Sequence, residues 1–173
     1  MQAVIMAGGK GTRLASIVKD IPKPMFPILG KPILDYQIDS LKKSGISKIT
    51  IIVGHLGTVI QDHLGNGDEF GVKINYIVEN EPLGTAGALY YLKEKIKDDF
   101  ILLFGDLILD VDFTRFMEFH KEHQAKITLF GHPNSHPYYS DVIVIKQNGN
   151  VTGIRSKKEE RNYYYHNFVN AGL

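Results

Sequence analysis

Ala3-Val-Ile-Met-Ala-Gly-Gly-Lys-Gly-Thr-Arg13 is the stretch on which the fold turns. Its apolar run at 3–6 reads as a strand and breaks at once into three glycines. Gly8, Gly9 and Gly11 carry no Cβ, so the backbone there can come close to a bulky anion. Successive N–H groups of such a loop can point inward and form an anion nest. Arg13 adds a full positive charge, and Ile21-Pro-Lys-Pro24 adds Lys23, held between prolines. Together these residues describe a site for a triphosphate. Two common phosphate motifs do not fit it. Lys10 is followed by Gly11, which breaks the order of the Walker loop. Leu14 stands where a dinucleotide fingerprint needs its third glycine.

Working outward, apolar runs at 3–6, 48–53, 72–78 and 100–104 alternate with helical patterns, which predicts βα units and a mainly parallel sheet. Helices are expected at 32–44, 58–64, 85–96 and 113–123. In the first, Leu34, Ile38 and Leu41 form the buried stripe, Pro32 suits the first turn and Gly45 the C′ position. In the second, Thr58 is the expected N-cap. The third carries Leu89, Leu92 and Ile96 on one face. After Lys126 the pattern changes to short strands at 127–130, 142–145 and 151–154, with Asn148-Gly149 as a hairpin turn between the last two. The expected architecture is one domain, 1–173, with a three-layer αβα Rossmann-like (GT-A-like) fold and a mixed, mainly parallel sheet. Ligands of such sheets gather at the carboxyl ends of the strands. The glycine loop, residues 79–87 and Gly105-Asp106 all fall there.

The chain has 173 residues, 43% hydrophobic and 23% charged, with a net charge of +1 and no cysteine. The charge balance points away from nucleic acid and membrane surfaces. No apolar run approaches the ~18 residues of a membrane span. The absence of cysteine excludes disulfides and thiolate metal sites and fits a cytoplasmic setting. Residues 168–173 read as the start of a strand that would be left as an unpaired edge, so the chain is expected to be truncated at its C-terminus.

The set Gly8, Gly9, Gly11, Thr12, Arg13, Lys23 and Pro24 resembles the signature of the sugar-phosphate nucleotidyltransferases, the nucleotide-sugar pyrophosphorylases. That resemblance implies transfer of a nucleotidyl group from a nucleoside triphosphate to a sugar 1-phosphate. Arg13, Lys23 and Asp106 would be the catalytic residues, with Asp106 of the Gly105-Asp106 motif holding Mg²⁺. The nucleotide would lie against Ala7, Gly8, Gly9, Gly11, Thr12, Arg13, Glu79, Gly84 and Thr85. Glutamate at 79, where uracil- and thymine-using relatives carry glutamine, favours GTP, because a carboxylate only accepts and guanine presents two adjacent donors. Glu81 is the alternative for that part. Asp141, Lys157 and Asn170 are the expected sugar-phosphate contacts. Residues 132–141 and 167–172 look like the heptose-1-phosphate guanylyltransferases, so D-glycero-D-manno-heptose 1-phosphate is the favoured acceptor. Mannose 1-phosphate follows, then uridylyl or thymidylyl transfer to glucose 1-phosphate. The role implied is cytoplasmic nucleotide-sugar supply for lipopolysaccharide or capsule, and homo-oligomerisation stays open. The family's second metal-binding carboxylate would lie beyond Leu173, so the fragment alone is expected to turn over weakly. The competing class is a non-catalytic sugar-nucleotide-binding subunit.

Other residues get plainer readings. Asp110 and Asp112 are expected in turn or helix-cap roles. His120 and His123 share a helix face without a third ligand nearby. His132 and His136 flank a proline-rich loop and are expected to shape the sugar pocket or face solvent, and Tyr163, Tyr164 and Tyr165 belong to a hairpin or interface.

Overall fold

The computed structural model describes residues 1–9, 11, 20–81, 84–135, 139–161 and 166–172. They divide into two compact units, Met1–Gln124 and Ala125–Leu173. The division falls where the sequence pattern changes.

In the first unit, β1 (Gln2–Ala7), β4 (Lys48–Val53), β5 (Lys73–Val78) and β6 (Phe100–Phe104) form one sheet in the order β5-β4-β1-β6. Every neighbouring pair is parallel. The chain builds outward from β1 to β4 to β5, then jumps back to place β6 on the other side of β1. Right-handed crossovers put the connections before and after that jump on opposite faces of the sheet. The topological switch therefore lies between β1 and β6, and a ligand crevice opens there, outside the strand ends.

Helix α1 (Ile33–Lys43) follows the expected stripe, with Leu34, Ile38 and Leu41 fully buried. Asp35 in its first turn and Lys42 and Lys43 in its last complement the helix dipole. It ends in a Schellman motif: Gly45, at φ 74°, donates to Lys42 O (2.9 Å), and Ile46 N donates to Leu41 O (3.0 Å). Ahead of it, β2 (Pro27–Ile28) and β3 (Lys31–Pro32) make a small antiparallel hairpin that sequence reading did not foresee. Helix α2 (Gly57–Leu64) is tied to α1 by His63 Nε2, 2.9 Å from Asp35 Oδ1.

Two expectations for this unit need correction. Thr58 does not cap α2: Leu56 holds the cap position at φ 56°, and no side chain closes the turn. The expected helix at 85–96 is a four-residue α3 (Gly84–Gly87) followed by a 3₁₀ segment, Ala88–Leu92. Gly84 and Gly87 weaken helix propagation, yet the apolar face survives. Ala88 and Leu92 bury against Val4, Ile52 and Ile77, with Leu89 and Ile96 packed alongside.

Helix α4 (Phe113–Glu122) is capped by Asp112, whose Oδ1 accepts from Arg115 N at 3.0 Å, as the cap reading expects. Asp112→Ala should cost about 1 kcal/mol, a Tm lowered by about 3 °C. A thermal melt by circular dichroism would show it, and an unchanged Tm would deny the cap any energetic role. His123 stacks on Phe119 (4.0 Å between centroids), and His120 Nε2 lies 3.9 Å from Asp99. Among the described residues no cluster of three or more metal-ligating side chains occurs.

In the second unit, β8 (Val142–Ile145) and β9 (Val151–Arg155) form the antiparallel hairpin expected around Asn148-Gly149, with Gly149 N donating to Lys146 O at 2.9 Å. The strand expected at 127–130 is absent, and Ile127 is exposed. The strand is instead β7 (Gly131–Pro133), which pairs antiparallel with β10 (Phe168–Asn170). The reason lies in packing. The Phe168 ring sits over Gly131, where even a methyl would approach within 2.3 Å of it. Residues 168–170 are thus a paired strand, not the unpaired edge anticipated. Among the described residues no helix is long and apolar enough to cross a membrane.

Candidate active site

The site is built where β1, β4, β5 and β6 end. Lys23 opens a 3₁₀ turn, Lys23–Met25, fixed by Pro22 on one side and Pro24 on the other. Met25 N donates to Pro22 O (2.8 Å) and Phe26 N to Lys23 O (3.0 Å), so the lysine backbone has little freedom. Gly105 continues the β6 ladder, donating to Met6 O at 2.9 Å. A methyl built on Gly105 would lie 3.1 Å from Met6 O, 3.2 Å from the Pro24 ring and 3.3 Å from Ala7 Cβ. Only glycine lets these segments close on one another without a shift. Their closure puts Lys23 beside Asp106, and Lys23 Nζ donates to Asp106 Oδ2 in an ion pair. Both side chains keep about a third of their surface open (35% and 37%), so the pair is reachable from solvent.

The glycine loop meets the same place. A methyl on Gly11 would be 3.9 Å from Lys23 Cβ. One on Gly8 would be 2.8 Å from Glu79 Oε2, so the missing Cβ makes room for that carboxylate. Glu79 itself is placed by its N–H, which donates to Val53 O at 2.8 Å. It is Glu79 that stands against the glycine loop, while Glu81 is exposed. Five predicted residues thus lie at the carboxyl end of the sheet: Glu79 against Gly8, and Lys23 against Asp106 with Gly11 beside the lysine. Ala7 ends β1 beside Gly105, Gly9 follows Gly8, and Gly84 opens α3 at φ 72°. Thr12 and Arg13 lie outside the described residues, as do His136, Tyr163, Tyr164, Tyr165 and the Thr85 side chain.

Sequence reading missed two contributors. Gly54 follows β4, and a methyl there would come 2.8 Å from Gly8 O and 3.1 Å from Gly8 Cα. The loop after β4 is therefore a wall of the glycine loop. Gln37 is 3% exposed, and its Nε2 donates to Phe104 O (2.8 Å) and Leu107 O (2.6 Å). The signal for Gln37 was available: it is a polar residue on the Leu34–Ile38–Leu41 face of α1. Gly54 gave no local signal, because its partner is 46 positions away in the chain.

In the second unit, Asp141 Oδ1 accepts from Lys157 N at 2.8 Å, which joins the start of β8 to the turn after β9. Arg161 supports the same corner by donating to Ser140 O at 2.5 Å. Asp141 and Lys157 are thus neighbours. Asn170 ends β10 opposite Gly131, on a different strand pair. His132 is exposed, its Nδ1 2.7 Å from Pro133 O.

Chemically, among the described residues the β1/β6 crevice offers the Asp106 carboxylate, the Lys23 ammonium and a glycine-lined backbone, while the Glu79 carboxylate stands against Gly8. A single carboxylate suits Mg²⁺, which takes one or two and completes its octahedron with phosphate oxygens and water. It does not suit zinc, which wants an almost wholly protein-made tetrahedron. The ion pair engages Oδ2 of Asp106, and a carboxylate has a second oxygen to offer.

Comparison with known proteins agrees with this geometry. The nucleotidyl transferase family profile matches residues 2–173. A D-glycero-alpha-D-manno-heptose 1-phosphate guanylyltransferase from Campylobacter jejuni is 38% identical over 175 residues, covering 100% of this chain and 74% of that protein. A mannose-1-phosphate guanyltransferase from Yarrowia lipolytica is 36% identical over 177 residues, covering 100% of this chain and 48% of that protein. This chain therefore spans about half the length of some relatives and about three-quarters of others. Among solved structures, HddC from Yersinia pseudotuberculosis complexed with GMP-PN superposes with a TM-score of 0.80 at 30% identity, covering 99% of this chain and 74% of that one. With a family match across nearly every residue and the fold in agreement, the chain belongs to the nucleotidyl transferase family.

Proposed function

We propose that this protein transfers a nucleotidyl group, GMP from GTP, to a sugar 1-phosphate, with D-glycero-D-manno-heptose 1-phosphate as the favoured acceptor. The observation that carries the reading is the Lys23–Asp106 pair at the β1/β6 switch, with Gly11 of the glycine loop beside Lys23 and Glu79 against Gly8 of the same loop. In the reaction an oxygen of the sugar phosphate attacks the α-phosphorus in line with departing pyrophosphate. No covalent nucleophile from the protein is needed. Positioning two anions and neutralising their charge is the whole task. The glycine loop receives the polyphosphate on its N–H groups, and Lys23 supplies a positive charge near the α-phosphorus. Arg13 clamps the outer phosphates through its planar fork. Asp106 would hold Mg²⁺, which when bound neutralises phosphate oxygens and orients them for displacement.

Glu79 reads the base. Its carboxylate accepts from the ring N–H and amino group of guanine and repels the carbonyls of a pyrimidine edge. Asp141, Lys157 and Asn170 are assigned to the sugar phosphate. The heptose and mannose guanylyltransferases among the relatives support this choice of base and acceptor, although a UTP–glucose-1-phosphate uridylyltransferase from Synechocystis is also 34% identical over 171 residues. The test incubates the full-length protein with Mg²⁺, one sugar 1-phosphate and each nucleoside triphosphate in turn, and measures pyrophosphate release. GTP with the heptose phosphate should give the highest kcat/KM. Glu79→Gln should lower the GTP-to-UTP preference by about tenfold or more, the worth of one well-placed hydrogen bond. Activity with UTP or dTTP but not GTP would overturn the base assignment.

A further inference from the structure

We propose that Gln37 is a positioning residue that holds the Gly105-Asp106 turn in its working geometry, an inference that rests on the functional reading above. Gln37 sits on the buried face of α1, where Leu34, Ile38 and Leu41 are all fully buried. A leucine would serve packing there. Instead one amide nitrogen donates to two backbone carbonyls, Phe104 O at 2.8 Å and Leu107 O at 2.6 Å. A side-chain NH₂ has two hydrogens, so both bonds can be made at once. The two carbonyls bracket Gly105 and Asp106, which closes the turn like a staple.

The staple has a cost. Gln37 Oε1 is buried and has no hydrogen-bond partner among the described residues, and a buried acceptor left unpaired is destabilising. Among the described residues β6 is an edge strand of its sheet, so no further described strand steadies its outer side. The helix does so through Gln37. Because the Asp106 backbone lies between the two bonds, they set where its carboxylate meets Lys23. A shift of ~1 Å in such a group can cost up to ~10²-fold in rate.

Two variants test this in the full-length protein. Gln37→Met keeps the volume and removes both donors. Gln37→Glu keeps the shape and can donate once, when burial keeps its carboxyl protonated. Three readouts are taken: Tm, the split between kcat and KM, and Mn²⁺ affinity by electron paramagnetic resonance without sugar phosphate. For Gln37→Met, kcat should fall about tenfold and Mn²⁺ should bind about tenfold more weakly, with KM for the sugar phosphate unchanged. Gln37→Glu should lose less on both counts. Native kcat and native Mn²⁺ affinity in whichever variant folds would overturn the proposal, whatever the Tm does, because a packing role alone would move only the melt. The unsubstituted protein is measured alongside. If it neither turns over nor binds Mn²⁺, the functional reading fails first, whereas a native-like variant of an active protein sinks the Gln37 role alone.

Discussion

Asp106→Asn is expected to lower turnover by about 10²-fold or more while the protein stays folded. The substitution is nearly isosteric but removes the Asp106 carboxylate from the switch between β1 and β6. Two losses follow from it. The proposed metal would lose its protein ligand, and Lys23 would lose the partner that orients its ammonium. Folding should hardly notice, because the ion pair is about one-third exposed, and such pairs contribute roughly 0–1 kcal/mol. Pyrophosphate release at saturating substrates, beside a thermal melt, separates the two effects. Native turnover in a folded Asp106→Asn protein would remove this residue from the chemistry.

Gly54→Ala is the second large effect expected, and it acts through backbone. The added methyl would meet Gly8 O at 2.8 Å and Gly8 Cα at 3.1 Å. Neither atom belongs to a flexible side chain, so the glycine loop itself must move. Overpacking of this kind costs about 1–3 kcal/mol. Because the shifted atoms form the proposed phosphate cradle, nucleotide affinity should fall by about tenfold or more. Calorimetric titration with a GTP analogue reads the affinity, and a melt reads the stability. An unchanged dissociation constant would mean that the loop after β4 does not bear on the nucleotide.

Local signals in the sequence predicted what is local in the structure. The four apolar runs became the four parallel strands, and the Leu34–Ile38–Leu41 spacing became the buried face of α1. Asn148-Gly149 turned its hairpin, and Asp112 capped its helix. Errors arose where a local signal met a tertiary demand. Leu89, Leu92 and Ile96 keep an apolar face, but glycines at 84 and 87 leave too little helix to carry it past Gly87. Ile127 looked like strand, yet the pairing falls at 131–133, where Gly131 leaves room for the Phe168 ring. The site was legible as residue types in order along the chain. Its assembly was not, since Gly8 against Gly54, Gly8 against Glu79 and Lys23 against Asp106 are contacts across 46 to 83 positions. No spacing rule reports on these; strand order does.

The most direct measurement is a crystal structure with a non-hydrolysable GTP analogue and Mn²⁺ in place of Mg²⁺, collected at the manganese edge. The polyphosphate is predicted against Gly8, Gly9 and Gly11, with Lys23 on its oxygens and an anomalous peak at coordination distance, ~2.1–2.2 Å, from an Asp106 oxygen. A nucleotide bound away from the β1/β6 switch, or manganese that leaves Asp106 untouched, would contradict the account.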